Sequence, residues 1–203
     1  MSFKDHGHIV IRNAVQKDIV DYVVQYLTLK ERVADILYDK GYTTEDRSEW
    51  GTWSDQQSPG AYSNYSDIAI ETLLVRIQPV IEKFTGLDLV PNYSYSRVYV
   101  KGNVLEHHVD RKECEISATL NLGGDFWPIY IGEGMRVDLN PGDALVYLGA
   151  VLPHWRDRFE GNRCYQAFFH YNEMKSDGTT VSSPLDGRLH LGLPSAFKDG
   201  DYA

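Results

Sequence analysis

Apolar and polar positions recur with two different periods along this chain, and the change between them divides it. In the N-terminal part, residues 1–88, three stretches have apolar side chains at every third or fourth position, as on the buried face of a helix. This period predicts three helices, over 18–27, 31–38 and 68–84. Ser66-Asp67 is suited to cap the third helix, and Pro79 inside it predicts a kink or a break. The helices are expected to support the remainder of the protein from one outer face.

From residue 89 to residue 172 the pattern is typical of a β-sheet protein. Short runs of β-branched and aromatic residues are separated by glycine and proline turns, which predicts many short strands. The predicted strands are 93–101, 116–122, 127–131, 135–139, 144–148 and 163–171. Pro128 predicts that the third strand is short or lies at a sheet edge. The expected fold is mainly β with flanking helices, around a double-stranded β-helix core of the jelly-roll or cupin-like kind.

Two further segments show neither period. Residues 41–65 are polar and aromatic, and they are predicted to form either a lid over a binding site or a surface loop anchored by its aromatic side chains. The C-terminal tail, 173–203, is rich in glycine, serine, aspartate and proline. It is expected to pack back against the protein or to mediate self-association. The whole chain, 1–203, is interpreted as one domain.

The candidate chemistry lies in three short motifs of the predicted β region: His108-x-Asp110, then His154, then Arg163. Residues two apart in a strand point to the same face, so His108 and Asp110 can bind one metal ion from a single strand. His107 would point the other way, and it is expected to be exposed or to lie behind the ligands. Two imidazoles and one carboxylate are the protein ligands of a facial non-haem iron(II) site, which leaves the opposite face of the metal open.

Each of these residues also has an ordinary structural interpretation. Asp110 is compatible with a solvated acid in a turn, and His154 with a histidine in the core. Arg163 is compatible with a surface ion pair to Asp157 or Glu160. If Arg163 is buried instead, its charge requires an anion, and its planar guanidinium suits a carboxylate. The order of the motifs and their strand context favour the metal site over these separate explanations.

Four longer stretches place the motifs in a known order. They are YVKGNVLEHHVD, ISATLNLGGDF, VDLNPGDALVYLGAVLPHW and GNRCYQAFFHY, and they lie between Tyr99 and Tyr171, about a third of the chain. Together they resemble the iron(II)- and 2-oxoglutarate-dependent dioxygenases, in particular the prolyl 4-hydroxylase-like branch. The shared features are a strand tyrosine, His-x-Asp, a Leu-Asn strand end, a Pro-Gly-Asp turn, a distal histidine and Gly-x-Arg.

The resemblance implies a role for each candidate residue. His108, Asp110 and His154 would bind iron(II). Arg163 would form a salt bridge with the C5 carboxylate of 2-oxoglutarate, and Tyr99 would donate a hydrogen bond to the same carboxylate. The implied reaction uses O₂ and decarboxylates 2-oxoglutarate to succinate while it hydroxylates a C–H bond, with ascorbate as a candidate reductant. The implied substrate is a prolyl residue in a peptide or protein.

Three other functions share parts of this pattern. A small-molecule hydroxylase of the same superfamily would differ in its loops. A cupin-like metalloenzyme would keep the metal ligands without using 2-oxoglutarate, and would not need Arg163. A non-catalytic binding module would keep the fold without tight iron binding, so that replacing His154 would leave its function intact.

Composition narrows the range of partners. The chain has 203 residues and a net charge of −9, which argues against a broad nucleic-acid-binding face. Arg156 and Arg158 form a local basic pair, but beside acidic neighbours they are typical of a solvated face. Cys114 and Cys164 form no CxxC motif, and no signal peptide or membrane-length apolar run is evident, so we expect reduced thiols in a cytoplasmic protein with no membrane association. The oligomeric state stays open, with a homodimer among the options.

Overall fold

The structure is a computed structural model, and it describes residues 2–44 and 48–198. Three α-helices occur in this part of the chain: α1, Phe3–His6; α2, Lys17–Asp39; and α3, Ile68–Thr85. Helix α2 joins the helices predicted over 18–27 and 31–38, because one buried face with Val20, Leu27 and Ala34 runs through both. Within the described residues, none of the helices combines the length and the apolar character needed to cross a membrane.

Helix α3 begins as its sequence predicts but does not break where expected. The Asp67 side chain accepts hydrogen bonds from the backbone N–H groups two and three residues later, which confirms its capping role. Gly86 ends the helix in the left-handed conformation, with φ at 72°. The helix continues through Pro79, whose missing N–H would have bonded to the carbonyl of Val75. Val75 is half-exposed, so water has access to that turn of the helix.

Ten strands form two antiparallel sheets in the described part of the chain. The strands are β1 His8–Ile11, β2 Tyr62–Tyr65, β3 Leu89–Val100, β4 Leu105–His108, β5 Ile116–Gly124, β6 Ile129–Ile131, β7 Met135–Val137, β8 Ala144–Leu148, β9 His154–Arg156 and β10 Arg163–Glu173. The larger sheet has the order β1-β8-β5-β10-β3-β2, and the smaller sheet has the order β4-β9-β6-β7. All six predicted strands are present, with β3 and β10 longer than expected and β6 and β7 shorter.

Strand β6 shows how a proline acts at the start of a strand. It is three residues long and begins directly after Pro128, which confirms the predicted short strand. The alternative, an edge position, was wrong, because β7 and β9 pair with the two sides of β6. Pro128 precedes the strand, so its missing N–H interrupts neither ladder of hydrogen bonds.

The larger sheet has two different sides. On the helix side, alternate residues of β10 pack with α2 and α3 in the main apolar core: Tyr165, Ala167, Phe169 and Tyr171. On the barrel side, the intervening residues face the smaller sheet: Cys164, Gln166, Phe168 and His170. Two facing antiparallel sheets, with helices outside the larger one, are the mainly β fold with flanking helices that the sequence predicts.

The two segments without a period are both fixed to the larger sheet. In the segment 41–65, Tyr62–Tyr65 forms β2 at the sheet edge, while residues 45–47 lie outside the described part. The tail packs back on the protein, as one of its two predicted alternatives stated, through a buried ion pair of 2.8 Å between Arg188 and Glu71. In the same tail, Asp186 accepts a hydrogen bond of 2.9 Å from Arg111. Residues 199–203 lie outside the described part.

Candidate active site

Three potential ligand atoms meet where the smaller sheet faces the larger one. His108 ends β4, His154 begins β9, and the two residues are paired across these strands. Asp110 lies in the turn after β4, where its backbone N–H bonds to the carbonyl of Gly149 at 2.9 Å. Its Oδ1 atom is 3.6 Å from His108 Nε2 and 3.5 Å from His154 Nε2. All three ligand atoms lie within 4.8 Å of one another, a spacing compatible with one shared metal ion.

Asp110 reaches this position by a different route from the predicted one. The sequence placed His108 and Asp110 on one strand, and this was wrong, because β4 ends at His108 and Asp110 follows in a turn. Gly149 makes that turn possible, since a Cβ atom there would lie 2.6 Å from Asp110 Oδ2. His107 is exposed, as one of its two predicted placements stated, and its ring packs 4.6 Å from the ring of Trp155.

The two imidazoles are held in the tautomer that a metal ion requires. His108 Nδ1 lies 2.7 Å from the carbonyl oxygen of Glu106, and His154 Nδ1 lies 3.1 Å from that of Leu152. A carbonyl oxygen accepts hydrogen bonds and cannot donate them, so both Nδ1 atoms carry the proton. In the neutral form of each ring, Nε2 therefore carries the lone pair that a metal ion would use, as in metal-binding histidines.

Asp110 is ionised and supported from behind. Burial would raise the pKa of Asp110, but hydrogen bonds from the rings of His108 and His154, in their protonated forms, outweigh burial and hold this pKa well below its ordinary value. The Ser117 hydroxyl donates to Asp110 Oδ2 at 2.7 Å. Because Ser117 has a single proton to donate, the Nδ1–H of His170 donates to Ser117 Oγ, at 3.0 Å. Burial lowers the pKa of His170 to about 4, so this supporting imidazole is neutral at neutral pH.

The ligand atoms line a cavity of about 400 Å³ between the two sheets. Part of its wall is apolar and contains Leu105, Ile129 and Phe168. Tyr147 adds a ring that packs 4.7 Å from the ring of His154. The polar part of the wall contains Asp55, Gln57, Arg97, Arg111 and His170. A cavity of this size, with a few convergent polar groups and a perturbed carboxylate, is the usual form of a small-molecule site.

One side chain from the predicted lid segment reaches the metal ligands. Gln57 Nε2 lies 3.0 Å from His108 Nε2, and since that nitrogen carries a lone pair, the amide donates to it. Arg97 holds the other end of this amide, donating to Gln57 Oε1 at 2.5 Å and to Asp55 Oδ2 at 2.7 Å. Gln57 therefore occupies the atom of His108 that a metal ion would use. The sequence analysis missed Gln57 and Arg97, because no motif connects a loop glutamine with a strand arginine.

Arg163 lies away from these groups, contrary to the role implied for it. It is on the helix side of β10, where it forms an ion pair with Glu31 of α2. Its side chain is 40% exposed. The physical reason is the two-residue period of a strand, which alternates the faces of β10 and gives the barrel side to Cys164 instead. The structure therefore corrects both the predicted carboxylate contact and the alternative partners Asp157 and Glu160.

Arg156 shows the opposite error. The sequence placed it on a solvated face with Arg158, but its side chain is buried, and Arg158 alone is exposed. Its guanidinium donates to the Trp127 carbonyl at 2.5 Å and to Gln166 Oε1 at 3.2 Å. The Nε–H has no hydrogen-bond partner among the described residues. A buried arginine without a carboxylate beside it is costly to a fold, so an anion bound beside Arg156 would stabilise it.

Tyr99 lies on the barrel side, as its implied role requires. Its ring is fully buried and meets the ring of Trp127 edge to face, with 4.9 Å between the ring centres. Its hydroxyl accepts a hydrogen bond of 3.3 Å from Arg97. The same Trp127 ring lies 5.1 Å from the guanidinium carbon of Arg156. The structure thus places Tyr99 beside Arg97, which lines the cavity, and against the ring that packs on Arg156.

Comparison with solved structures identifies the fold. The chain is similar to a prolyl-4-hydroxylase from Pseudomonas putida, with 16% identity and a TM-score of 0.56 over 83% of this chain and 94% of that one. It is similar to HygX from Streptomyces hygroscopicus with nickel, 2-oxoglutarate and hygromycin B bound, with 14% identity and a TM-score of 0.59 over 83% and 84%. It is also similar to a prolyl hydroxylase from Trichoplax adhaerens in complex with a hypoxia inducible factor oxygen degradation domain peptide fragment, with 16% identity and a TM-score of 0.56 over 83% and 84%.

These likenesses confirm the predicted architecture. No family model and no curated protein matches the chain. The structural matches nevertheless cover most of the chain and most of each similar protein. The fold is that of the iron(II)- and 2-oxoglutarate-dependent oxygenases, with the double-stranded β-helix core that the sequence predicts.

Proposed function

We propose that this protein is an iron(II)- and 2-oxoglutarate-dependent dioxygenase that hydroxylates a C–H bond. One observation carries the proposal. Two histidines with Nε2 lone pairs and one ionised carboxylate, namely His108, His154 and Asp110, converge on one point in the wall of a cavity. Neutral imidazoles and a carboxylate are the ligand set of facial iron(II) oxygenase sites. The oxygenase fold supports the same conclusion.

The groups behind the ligands fit a metal as well as the ligands do. Metal-binding histidines donate their second N–H to a carbonyl or a carboxylate, and both histidines here do so. Asp110 is oriented by Ser117 in the same way. When bound, iron(II) supplies the oxidation chemistry, with 2-oxoglutarate and O₂ as co-substrates and ascorbate as a candidate reductant. The protein holds the three ligands together and surrounds the remaining positions with the cavity wall.

The finer assignment concerns the substrate. A prolyl residue in a peptide or protein is the substrate to test first, supported by the sequence resemblance and by two prolyl hydroxylases among the similar structures. A small molecule is the second candidate, since the similar protein HygX has hygromycin B bound. The loops around the cavity determine which substrate binds. At 14–16% identity, the similar proteins do not define the loops of this chain, so the substrate has to be tested directly.

The test begins with binding. Metal-free protein is titrated without oxygen, first with iron(II) and then with 2-oxoglutarate, and the visible charge-transfer band of the ternary complex is followed. The band is expected in the wild type and absent in His108→Ala and Asp110→Ala. Iron binding without a band would favour a cupin-like enzyme that does not use 2-oxoglutarate. Absence of iron binding would favour a non-catalytic binding module.

The second step identifies the substrate. The iron-loaded protein is incubated with 2-oxoglutarate, O₂ and a library of proline-containing peptides, and the products are analysed by mass spectrometry. A gain of one oxygen atom on proline, in step with succinate formation, would establish the prolyl assignment. Succinate formation stimulated by small molecules and by none of the peptides would establish the second candidate instead.

A further inference from the structure

Arg156 carries a buried positive charge that no side chain in the described part of the fold neutralises. Its side chain is among the largest in the protein with less than 2% exposure. Its two described hydrogen bonds go to neutral acceptors, the Trp127 carbonyl and the Gln166 amide oxygen, and its Nε–H has no partner in the described part of the chain. Besides these bonds, the guanidinium carbon lies 5.1 Å from the centre of the neutral Trp127 ring.

Arg97 and Arg111, which line the cavity, and Arg163, which lies on the helix side, already have partners. Arg97 donates from all three of its nitrogens, to Asp55, to Gln57 and to Tyr99. Arg111 pairs with Asp186 at 2.9 Å, and Arg163 pairs with Glu31. Among these four arginines, Arg156 is the one without a carboxylate partner. Any anion that enters the interior between the sheets would therefore gain most from Arg156, since the other three would first have to give up a partner.

Arg156 also lies in the right direction from the metal ligands. It is two residues after His154 on β9, so both side chains point between the sheets. Two residues along a strand span roughly 7 Å, a length that a five-carbon dicarboxylate can bridge. Arg156 also reaches across to the barrel side of β10, where Gln166 accepts its hydrogen bond at 3.2 Å and itself donates to Cys164 Sγ at 3.2 Å. Cys164 follows Arg163 directly in the sequence. Arg156 therefore lies on the barrel side of β10 one residue away from Arg163, the residue that the sequence analysis favoured for the carboxylate contact.

We propose that Arg156, and not Arg163, binds the distal carboxylate of 2-oxoglutarate when the 2-oxo acid end is at the metal. This proposal rests on the proposed function and assigns one residue of the same site. The planar guanidinium has a free Nε–H and matches a carboxylate in shape and charge. Tyr99, which accepts a hydrogen bond from Arg97 and packs on the Trp127 ring beside Arg156, is placed to contact the same carboxylate.

The experiment compares two ligands that differ at one end. 2-Oxoglutarate and 2-oxopentanoate share the metal-binding 2-oxo acid, but the second has a methyl group in place of the distal carboxylate. Dissociation constants for both are measured from the charge-transfer band, without oxygen, on iron-loaded wild type, Arg156→Met, Arg156→Lys and Arg163→Met. Iron affinity and circular dichroism are recorded for each variant, so that loss of the metal site or of the fold is detected separately.

The ratio of the two constants reports on the distal carboxylate alone. We expect wild type and Arg163→Met to prefer 2-oxoglutarate by about a hundredfold, since a desolvated charge pair of this kind is worth a few kcal/mol. Arg156→Met should bring the ratio close to one and leave 2-oxopentanoate binding unchanged. Arg156→Lys, which keeps the charge but loses the two-pronged geometry, should lower the ratio at least tenfold.

The outcomes separate this proposal from the function on which it rests. Undiminished preference for 2-oxoglutarate in either Arg156 variant would overturn the assignment, as would loss of that preference in Arg163→Met. In both cases the oxygenase proposal would stand, because the wild type would still bind the 2-oxo acid. If iron-loaded wild type bound neither ligand, the function itself would fail and the role of Arg156 with it.

Discussion

Strand β10 has packing on its helix side and candidate chemistry on its barrel side. On the helix side, Phe169 lies in the main apolar core and Arg163 reaches α2. On the barrel side, Phe168 and His170 line the cavity, and Gln166 bonds to Arg156. Neighbouring residues of one strand thus belong to different parts of the protein. A sequence motif specifies the number of residues between His154 and Arg163. A shift of one residue, however, decides whether an arginine of β10 lies on the helix side or on the barrel side of the sheet.

The largest expected effect is on the barrel side. His154→Ala should weaken iron(II) binding by roughly a thousandfold or more, equal to about 4 kcal/mol, because one of three protein ligands is lost. Equilibrium titration of the metal-free protein measures this change. His107→Ala is the matched control, because the exposed ring of His107 packs on Trp155 away from the ligands. The iron(II) affinity of this variant should stay within twofold of that of the wild type. Tight binding by His154→Ala would place the metal elsewhere.

The matched pair Phe168 and Phe169 contrasts the two sides directly. Phe169 is fully buried in the main core, so Phe169→Ala should lower the free energy of unfolding by about 3–5 kcal/mol. Phe168 borders the cavity and is 9% exposed, so Phe168→Ala should cost less stability, because the cavity relieves part of the packing loss. Urea unfolding of both metal-free variants gives the comparison. A greater loss for Phe168→Ala would contradict the division of β10 into a packing side and a cavity side.

The barrel side should also respond to acid. The pKa of His170 is about 4 in the folded protein, below the ordinary value of roughly 6.5 expected in the unfolded chain. Between these values the unfolded chain binds a proton that the folded protein does not. Stability from His170 is therefore complete above about pH 6.5 and decreases toward pH 4, by up to about 3 kcal/mol.

Comparison with His170→Asn isolates this contribution from those of the other acids and histidines. Burial would lower the pKa of His108, but Asp110 outweighs burial and raises this pKa. The contribution of His108 to stability therefore depends on pH in the opposite direction, and it is present in both proteins. The free energy of unfolding of the metal-free proteins, measured in urea at several pH values, should fall less steeply below pH 6.5 for the variant. Equal slopes would show that His170 is not buried in its neutral form.

Gln57 allows a smaller test at the metal ligands themselves. The Gln57 amide donates to the atom of His108 that would bind iron(II), so metal and amide compete. Gln57→Ala removes the competitor and should tighten iron(II) binding by about two- to tenfold, the value of one net hydrogen bond. Gln56→Ala, one residue earlier in the same segment and with no hydrogen bond to His108 described, is the matched control. Weaker binding by Gln57→Ala would mean that Gln57 assists the metal.

The smallest effect is expected on the exposed end of the helix side. Arg163 is 40% exposed in its ion pair with Glu31, so Arg163→Met should change the free energy of unfolding by about 1 kcal/mol or less. Chemical denaturation of the metal-free protein measures it. A loss comparable to that of Phe169→Ala would show that the pair is an integral part of the core.

The sequence predicted those parts of the protein that follow from local pattern. The cap at Asp67, the strand Ala144–Leu148 and the convergence of His108, Asp110 and His154 all have local signals, either periodicity or a known motif. Strands β1, β2 and β9 were missed. Strands β1 and β2 are four residues long and occupy the two edges of the larger sheet, where partners distant in the sequence define them, and β9 has only three residues.

The remaining errors have one physical origin. Burial of Arg156 and exposure of Arg163 depend on which face of a strand meets which sheet, and the residues around them look equally polar in the sequence. A possible signal was present in β9, because Arg156 shares the face of His154 by the two-residue period. The contact between Gln57 and His108 had no such signal, since a loop side chain is positioned by tertiary structure alone.

The C-terminal tail has a consequence for how such a protein diversifies. Asp186 in the tail neutralises Arg111, which lines the cavity, while the metal ligands are held by β4, β9 and the turn after β4. A single substitution at Asp186 would leave Arg111 with only its longer ion pair to Glu113, 3.7 Å, and so make the cavity wall more positive without touching a candidate metal ligand. Sequence changes in the C-terminal tail can therefore change the charge of the molecules that the cavity admits. Related proteins with the same metal-binding residues can in this way come to differ in the ligands they accept.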